Sequence, residues 1–237
     1  QPRPRDVAPV IQTALRKYRF SDAWIPVVLE MIGKVAGLAL GPDAAAHAGD
    51  APPMRLSSVP PKERINEMAF YFPLRSVPPR RLASVFAQHG IAGPSGDFPE
   101  RIGRLEFSRK AGYMKGFIDL VFRSQGRFWV VDWKSNHLGD QPEDYRPEVL
   151  QEVMAEDFYI LQYHLYTLAL HRYLQLRLPG YDYDTHFGGV RYLFLRGITS
   201  DDAAPFGMFQ DRPQAAVIHA LNALLVDAPA GGAPAVG

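Results

Sequence analysis

The chain has 237 residues, 47% hydrophobic and 22% charged, with 26 Lys+Arg against 25 Asp+Glu and no cysteine. This is a soluble globular composition, long enough to bury a core without disulfides or a structural zinc cluster. The missing cysteines exclude thiolate-ligated zinc, iron–sulfur clusters and thiol nucleophiles together. No apolar run reaches the roughly 18 residues that a membrane helix needs, and QPRPRDVAPV lacks the layout of a secretory signal, so a cytoplasmic protein without a membrane partner is expected. The net charge of +1 taken alone speaks weakly against nucleic acid. A start at Gln1 rather than Met reads as a piece of something longer.

In chain order, residues 7–40 read as helix, with Ser21 placed to cap a segment whose Trp24, Val27, Val28, Met31 and Val35 recur at helical spacing, a packing face. Residues 41–62 hold five prolines and many small side chains and read as a flexible surface loop, His47 included. The run RINEMAFYFPL at 64–74 alternates as a strand, with Met68, Phe70, Phe72 and Leu74 on one face and Glu67 on the other. Pro78-Pro79 opens a short helix that Gly90 ends. Two β-branched and aromatic runs within 114–134, joined at Ser124-Gln125-Gly126, predict a hairpin. An acidic stretch at 140–157 precedes a long helix over 158–178, and 188–198 reads as a strand too apolar to be exposed on both faces. Residues 228–237 are expected to be a disordered tail, and the whole chain a single α/β domain with mixed strand order.

The chemistry concentrates in the hairpin. Alternation places Phe117, Asp119 and Val121 on one face of the first strand, and Val130, Asp132 and Lys134 on one face of the second. If Gln125-Gly126 form a two-residue loop, Asp119 lies directly across from Asp132, with Cβ atoms roughly 4.5–5.5 Å apart. A three-residue loop with a bulge would instead make the pair diagonal or put it on opposite faces. Two close carboxylates repel unless a cation sits between them or one holds a proton. With a lysine two residues further along, they form the set that Mg²⁺-assisted phosphodiester hydrolysis requires: Asp119 and Asp132 as ligands, the Trp133 carbonyl as another oxygen, Lys134 as the catalytic cation. Glu67 on the neighbouring strand is a further acid for the same site. A bare DxK triplet is more often a solvated pair at a strand end. Here Asp119 lies between Ile118 and Leu120 and Asp132 follows Trp129-Val130-Val131, where an unpaired carboxylate is costly.

The run GYMKGFIDLVFRSQGRFWVVDWKSNHLGD, followed in order by DFYILQYHLYTLALHRYL and YDYDTHFGGVRYLFLRG and preceded by RINEMAFYFPL, resembles the C-terminal nuclease domain of the RecB subunit of RecBCD helicase–nucleases (exodeoxyribonuclease V). The likeness covers about residues 20–225. It implies a PD-(D/E)xK, restriction-endonuclease-like fold, a central mixed β-sheet flanked by helices. It matches Asp119 and Asp132 to metal-binding aspartates, Lys134 to the catalytic lysine, Glu67 to an upstream acid, and Gln162 and Tyr166 to a QxxxY motif. The last two, at i and i+4, share a helical face and are expected to position the lysine or touch the DNA backbone. The family also uses a histidine in a GxxxH context upstream of the acidic strand. No such motif precedes Glu67, His47 is not assigned to the role, and a start downstream of that histidine, with weakened metal affinity, is the expectation.

His164 and His171 on the long helix read as surface or packing residues, and His137 stays unassigned. The resemblance implies a Mg²⁺-dependent deoxyribonuclease acting mainly on single-stranded DNA in double-strand break repair. The implied partners are RecC- and RecD-type subunits and a helicase portion of the same chain. The rival reading is a catalytically silent nuclease fold serving as a scaffold or DNA-binding module. DNA contacts are expected from Arg101, Arg104, Arg109, Lys110 and Lys115. Residues 101–115 carry five basic and one acidic side chain while 140–157 carry seven acidic and one basic, an asymmetry hidden by the +1 total.

Overall fold

The hairpin of densest β signal forms the middle of the sheet. β2 (Gly112–Ser124) and β3 (Arg127–Lys134) pair antiparallel, Ser124 with Arg127 and Leu120 with Val131, across Gln125 (φ 51) and Gly126 (φ 79). Two successive left-handed residues are what a two-residue type I′ turn demands, so the register expected for such a turn is the one the chain adopts, as far as the Leu120–Val131 pair. β1 (Arg64–Leu74) pairs antiparallel with β2, β4 (Phe187–Phe194) parallel with β3, and β5 (Met208–Asp211) antiparallel with β4, giving a five-stranded mixed sheet in the order β1-β2-β3-β4-β5. β4 is buried along its whole length, as its uninterrupted apolar run requires of an inner strand covered on both faces. The four residues of β5 are too few to show a period in the sequence.

The structure is a computed structural model that describes residues 4–40, 54–106, 112–199 and 206–226. Helices α3 (Pro79–Gln88), α4 (Phe98–Gly103), α5 (Pro147–Glu156), α6 (Tyr159–Arg177) and α8 (Ala215–Leu225) contribute to one core with Val121, Val130, Val190 and Tyr192 of the sheet. The short α7 (Tyr183–His186) leads into β4. On the opposite face Leu120, Phe122, Trp129 and Val131 pack with Leu38, Leu40, Met54 and Val59. Buried Arg191 ties that cover to the sheet: Nε donates to the Leu40 carbonyl at 2.7 Å, and the guanidinium lies 4.7 Å from the Trp129 ring centroid.

This second core changes the reading of residues 41–62 as one flexible loop. Residues 54–63 hold helical turns at Leu56–Ser58 and Pro61–Glu63, and Met54, Val59 and half-buried Leu56 are three spaced apolar side chains that anchor this proline-rich segment on the sheet. Residues 41–53, His47 among them, and the 228–237 tail lie outside the described residues.

At the N-terminus the helical stretch expected over 7–40 is two helices, α1 (Pro4–Lys17) and α2 (Ile25–Gly37). They are broken at Arg19 (φ 63), and the Ser21 side chain accepts from the Ala23 amide to start the next turn. The apolar stripe does not become a packing face throughout: Val28, Met31 and Val35 are half-buried, but Trp24 is 51% and Val27 53% exposed. Of the described elements, α1 and the turn at Leu56–Ser58 are the main cover for α2, which is too little surface for a whole helical face.

The long helix runs Tyr159–Arg177, close to its expected span. His164 and His171 are packing residues within it, 1% and 3% exposed, and burial pushes both imidazoles down to about 4, so both are neutral at pH 7. Gly90 (φ 70) follows α3 as a left-handed terminator. Among the described residues no helix is long and apolar enough to cross a membrane.

Candidate active site

The site begins where the regular sheet fails. The β1–β2 ladder pairs Asn66 with Leu120 and Met68 with Ile118, and the intervening Glu67/Asp119 pair drops out. Glu67 takes φ 51, a left-handed value that costs a non-glycine residue of order 1 kcal/mol. Across the same point β2 changes face: Ile118 and Val121 both enter the helix-side core, which strict alternation forbids, while Leu120 and Phe122 enter the other. Phe117, expected to share a face with Val121, is 51% exposed instead. The kink frees Asp119 from the pleat.

Beyond Leu120↔Val131 the β2–β3 ladder ends, and the Asp119 carboxylate fills the gap, Oδ2 accepting from the Trp133 amide at 2.9 Å. That bond holds the carboxylate at the end of β3 and leaves Oδ1 for a ligand. On β3, Asp132 and Lys134 point to the helix side and are 3% and 8% exposed. Lys134 Nζ lies 2.7 Å from Asp132 Oδ2, a close ion contact without the angle of a hydrogen bond, so this buried oxygen has no aligned donor. Burial pushes the Asp132 carboxyl up to about 6, opposed by Lys134 and reinforced by the Asp119 charge. The two aspartates therefore sense each other.

Helix α6 supplies the ceiling. Gln162 Oε1 accepts from Lys134 Nζ at 2.9 Å and from the Tyr192 hydroxyl at 3.0 Å, while its Nε2 donates to the Tyr166 hydroxyl at 3.0 Å. Every polar atom of the Gln162 amide is thus committed, and its oxygen is the end turned to the lysine. Phe70 reaches across β2 over Gly116, where a Cβ would collide with its ring, to meet Tyr166 edge-on at 5.9 Å. The glycine of KGFID thereby helps seat the QxxxY helix. Gln162→Leu removes the side-chain carbonyl on Lys134 and strands Tyr192. Cleavage kinetics are expected to show kcat reduced by roughly 10- to 100-fold with KM little changed, the scale of a small misplacement of a reacting group.

Tyr192 and Tyr159 also border Lys134, and Asn136 holds the Tyr159 hydroxyl. Tyr192 stands opposite Asp132 in the parallel β3–β4 register, a relation set by tertiary pairing alone. Tyr159 carried a signal, since it precedes Gln162 by three residues and so shares its helical face.

The remaining expected residues are more dispersed. Glu67 is exposed, and among the described residues no three His, Cys, Asp or Glu side chains converge as a metal cluster. Arg101 on α4 donates to the Glu156 carbonyl at 2.8 Å and lies over the Phe158 ring, bracing the α5–α6 junction, and Arg104 pairs with Glu100 at 2.6 Å. Lys115 is exposed on β2, while Arg109 and Lys110 lie outside the described residues. His137 is exposed and pairs with Asp140 at 3.0 Å. The donor set at Asp119 and Asp132, two carboxylates with one buried oxygen lacking an aligned donor, suits a hard divalent cation, with the Trp133 carbonyl next in the chain.

Residues 63–232 match the PD-(D/E)XK nuclease superfamily. The chain belongs to that superfamily. The chain is similar to "RecBCD enzyme subunit RecB" of Escherichia coli (strain K12), 37% identical over 204 residues, 86% of this chain and 16% of that protein. The RecB subunit of Haemophilus influenzae is 40% identical over 169 residues, 70% of this chain and 13% of that protein. That of Mycobacterium tuberculosis (strain CDC 1551 / Oshkosh) is 37% identical over 205 residues, 78% and 18%. The chain thus spans less than a fifth of the length of these relatives. PD-(D/E)XK nucleases are generally dependent on divalent metals, which agrees with the carboxylate pair.

Proposed function

We propose that the chain is a Mg²⁺-dependent deoxyribonuclease module that hydrolyses phosphodiester bonds, mainly in single-stranded DNA. In this reading it works as the C-terminal part of a RecB-type helicase–nuclease in double-strand break repair, with RecC- and RecD-type partners. The observation that carries the reading is the meeting of Asp119, Asp132 and Lys134 at the point where β2 and β3 part, with Lys134 held from above by Gln162. A retired site has no reason to keep a buried lysine aimed at a carboxylate with a free oxygen.

Hydrolysis adds a water oxygen to phosphorus as the bridging P–O bond breaks, with one proton leaving the water and one reaching the departing oxygen. Asp119 through Oδ1, Asp132 and the Trp133 carbonyl would hold the Mg²⁺, Glu67 standing by directly or through water. When bound, the cation supplies Lewis-acid polarisation of the phosphate and of the attacking water. Lys134 contributes a fixed positive charge beside the phosphate, where charge builds in the transition state, and a donor that orients the water. Phosphate contacts from Arg101, Arg104, Arg109, Lys110 and Lys115 would bind DNA without reading its sequence.

The test is cleavage of a labelled single-stranded oligonucleotide with Mg²⁺ and with chelator, wild type beside Asp132→Ala. The expected result is chelator-sensitive cleavage by the wild type and loss of at least about 100-fold in the variant. Equal activity in both proteins would remove Asp132 from the site, and binding without any cleavage would favour the silent scaffold.

A further inference from the structure

Lys134 has more neighbours than a nuclease lysine needs for contact with a carboxylate and an amide. Its Nζ lies 3.7 Å from the Tyr159 ring centroid and 4.9 Å from that of Tyr192, in addition to Asp132 Oδ2 at 2.7 Å and Gln162 Oε1 at 2.9 Å. An ammonium at 3.7 Å from a centroid sits against the ring, well inside the roughly 6 Å range over which the negative face of an aromatic attracts a cation. At 8% exposure the lysine has little water to replace that attraction.

The Tyr159 ring is itself tethered at its far end. Its hydroxyl donates to Asn136 Oδ1 at 3.2 Å, and Asn136 Nδ2 donates to Asp157 Oδ2 at 2.9 Å. Asn136 follows the lysine strand by two residues, and Asp157 sits at the left-handed junction between α5 and α6. The chain therefore joins the segment after β3 to the helix start that carries both the ring and Gln162. The rings of Tyr159 and Tyr192 lie 5.9 Å apart, so the two aromatics wall the ammonium together.

We propose that Tyr159 is a positioning residue for Lys134: its ring face holds the ammonium where it meets the reacting phosphate. Tyr159 need not touch the DNA for this. The role rests on the nuclease reading, but the contact can be tested without it.

The experiment replaces Tyr159 by Phe, by 4-fluoro-, 3,5-difluoro- and 3,4,5-trifluorophenylalanine, and by Leu, and measures Mg²⁺-dependent cleavage alongside the NMR shifts of the Lys134 ε-methylene protons, assigned by their loss in Lys134→Met. Fluorine withdraws charge from the ring face while nearly preserving its shape. Phe is expected to stay within about threefold of wild type, kcat to fall stepwise to about tenfold lower across the fluorinated series, and KM to hold, the scale of a desolvated cation–π contact. The ε-methylene protons are expected to be displaced upfield by the ring in the wild type and Phe proteins and to return towards ordinary lysine values with Leu. A flat fluorinated series with loss only for Leu would make the ring a space-filler and overturn the proposal, as would undisplaced ε-methylene protons in the wild type. A wild type that binds DNA but never cleaves it overturns the nuclease reading instead, and the NMR arm then decides the contact alone.

Discussion

Asp132→Asn is expected to make the protein more stable at neutral pH in metal-free buffer while abolishing cleavage. In the folded protein burial raises the Asp132 carboxyl to about 6 from an ordinary value near 3.8, and the Asp119 charge adds to the rise against the pull of Lys134. Between pH ~4 and ~6 the folded protein holds a proton that the unfolded chain has released, so stability falls as pH rises through that window, and above it the full cost is present. At 1.36 kcal/mol per unit, the cost is up to about 3 kcal/mol. Removing one partner of a buried ion pair usually destabilises. Here the sign reverses because Lys134 keeps the Gln162 oxygen and two ring faces, whereas ionised Asp132 has one ion contact and a like charge nearby.

Urea denaturation at pH 7.5 and pH 4.5 checks this: the variant should exceed wild type at the higher pH and converge with it at the lower. Added Mg²⁺ should raise the stability of the wild type, through mass action on the folded state, and leave the variant unmoved. A variant less stable than wild type at pH 7.5 would show that Asp132 is not the strained member of the pair.

Lys134→Met carries the second large effect, and its two readouts move together. The methionine keeps the apolar stem but leaves Asp132 buried beside Asp119 without its cation. Loss of roughly 3–5 kcal/mol is expected at neutral pH, the scale of breaking a buried pair from its other side. The loss should shrink in acid, where Asp132 takes up a proton. Cleavage should fall by about 10²–10³ in kcat, with KM little changed, because the charge acts where the transition state develops its own. The double variant Asp132→Asn/Lys134→Met should recover most of the stability and none of the activity. A cycle of the four proteins then measures how strongly the two side chains are coupled. A Lys134→Met protein as stable and active as wild type would remove the lysine from the site.

Both effects follow from one feature, a carboxylate pair placed where a sheet opens. The same feature stores strain at Glu67 and orphans the oxygen of Asp132. Such costs are expected where a site awaits a ligand that relieves them.

The hairpin register up to Leu120 and Val131 and the span of α6 were legible in the amino-acid sequence, because a type I′ turn and helical or β periodicity are local properties. Gln162 and Tyr166 were legible as a pair for the same reason. Other features depended on segments far apart in the chain. The kink that moves Phe117 to the surface needs β1 beside β2. The anchoring of Met54 and Val59 needs the second face of the sheet. Trp24 and Val27 stand exposed because few described elements reach α2, which no periodicity can reveal. The aromatic walls around Lys134 arise where β4 lies parallel to β3 and α6 crosses above them, so Tyr159 and Tyr192 acquire their meaning only from contacts that strand pairing and helix packing create.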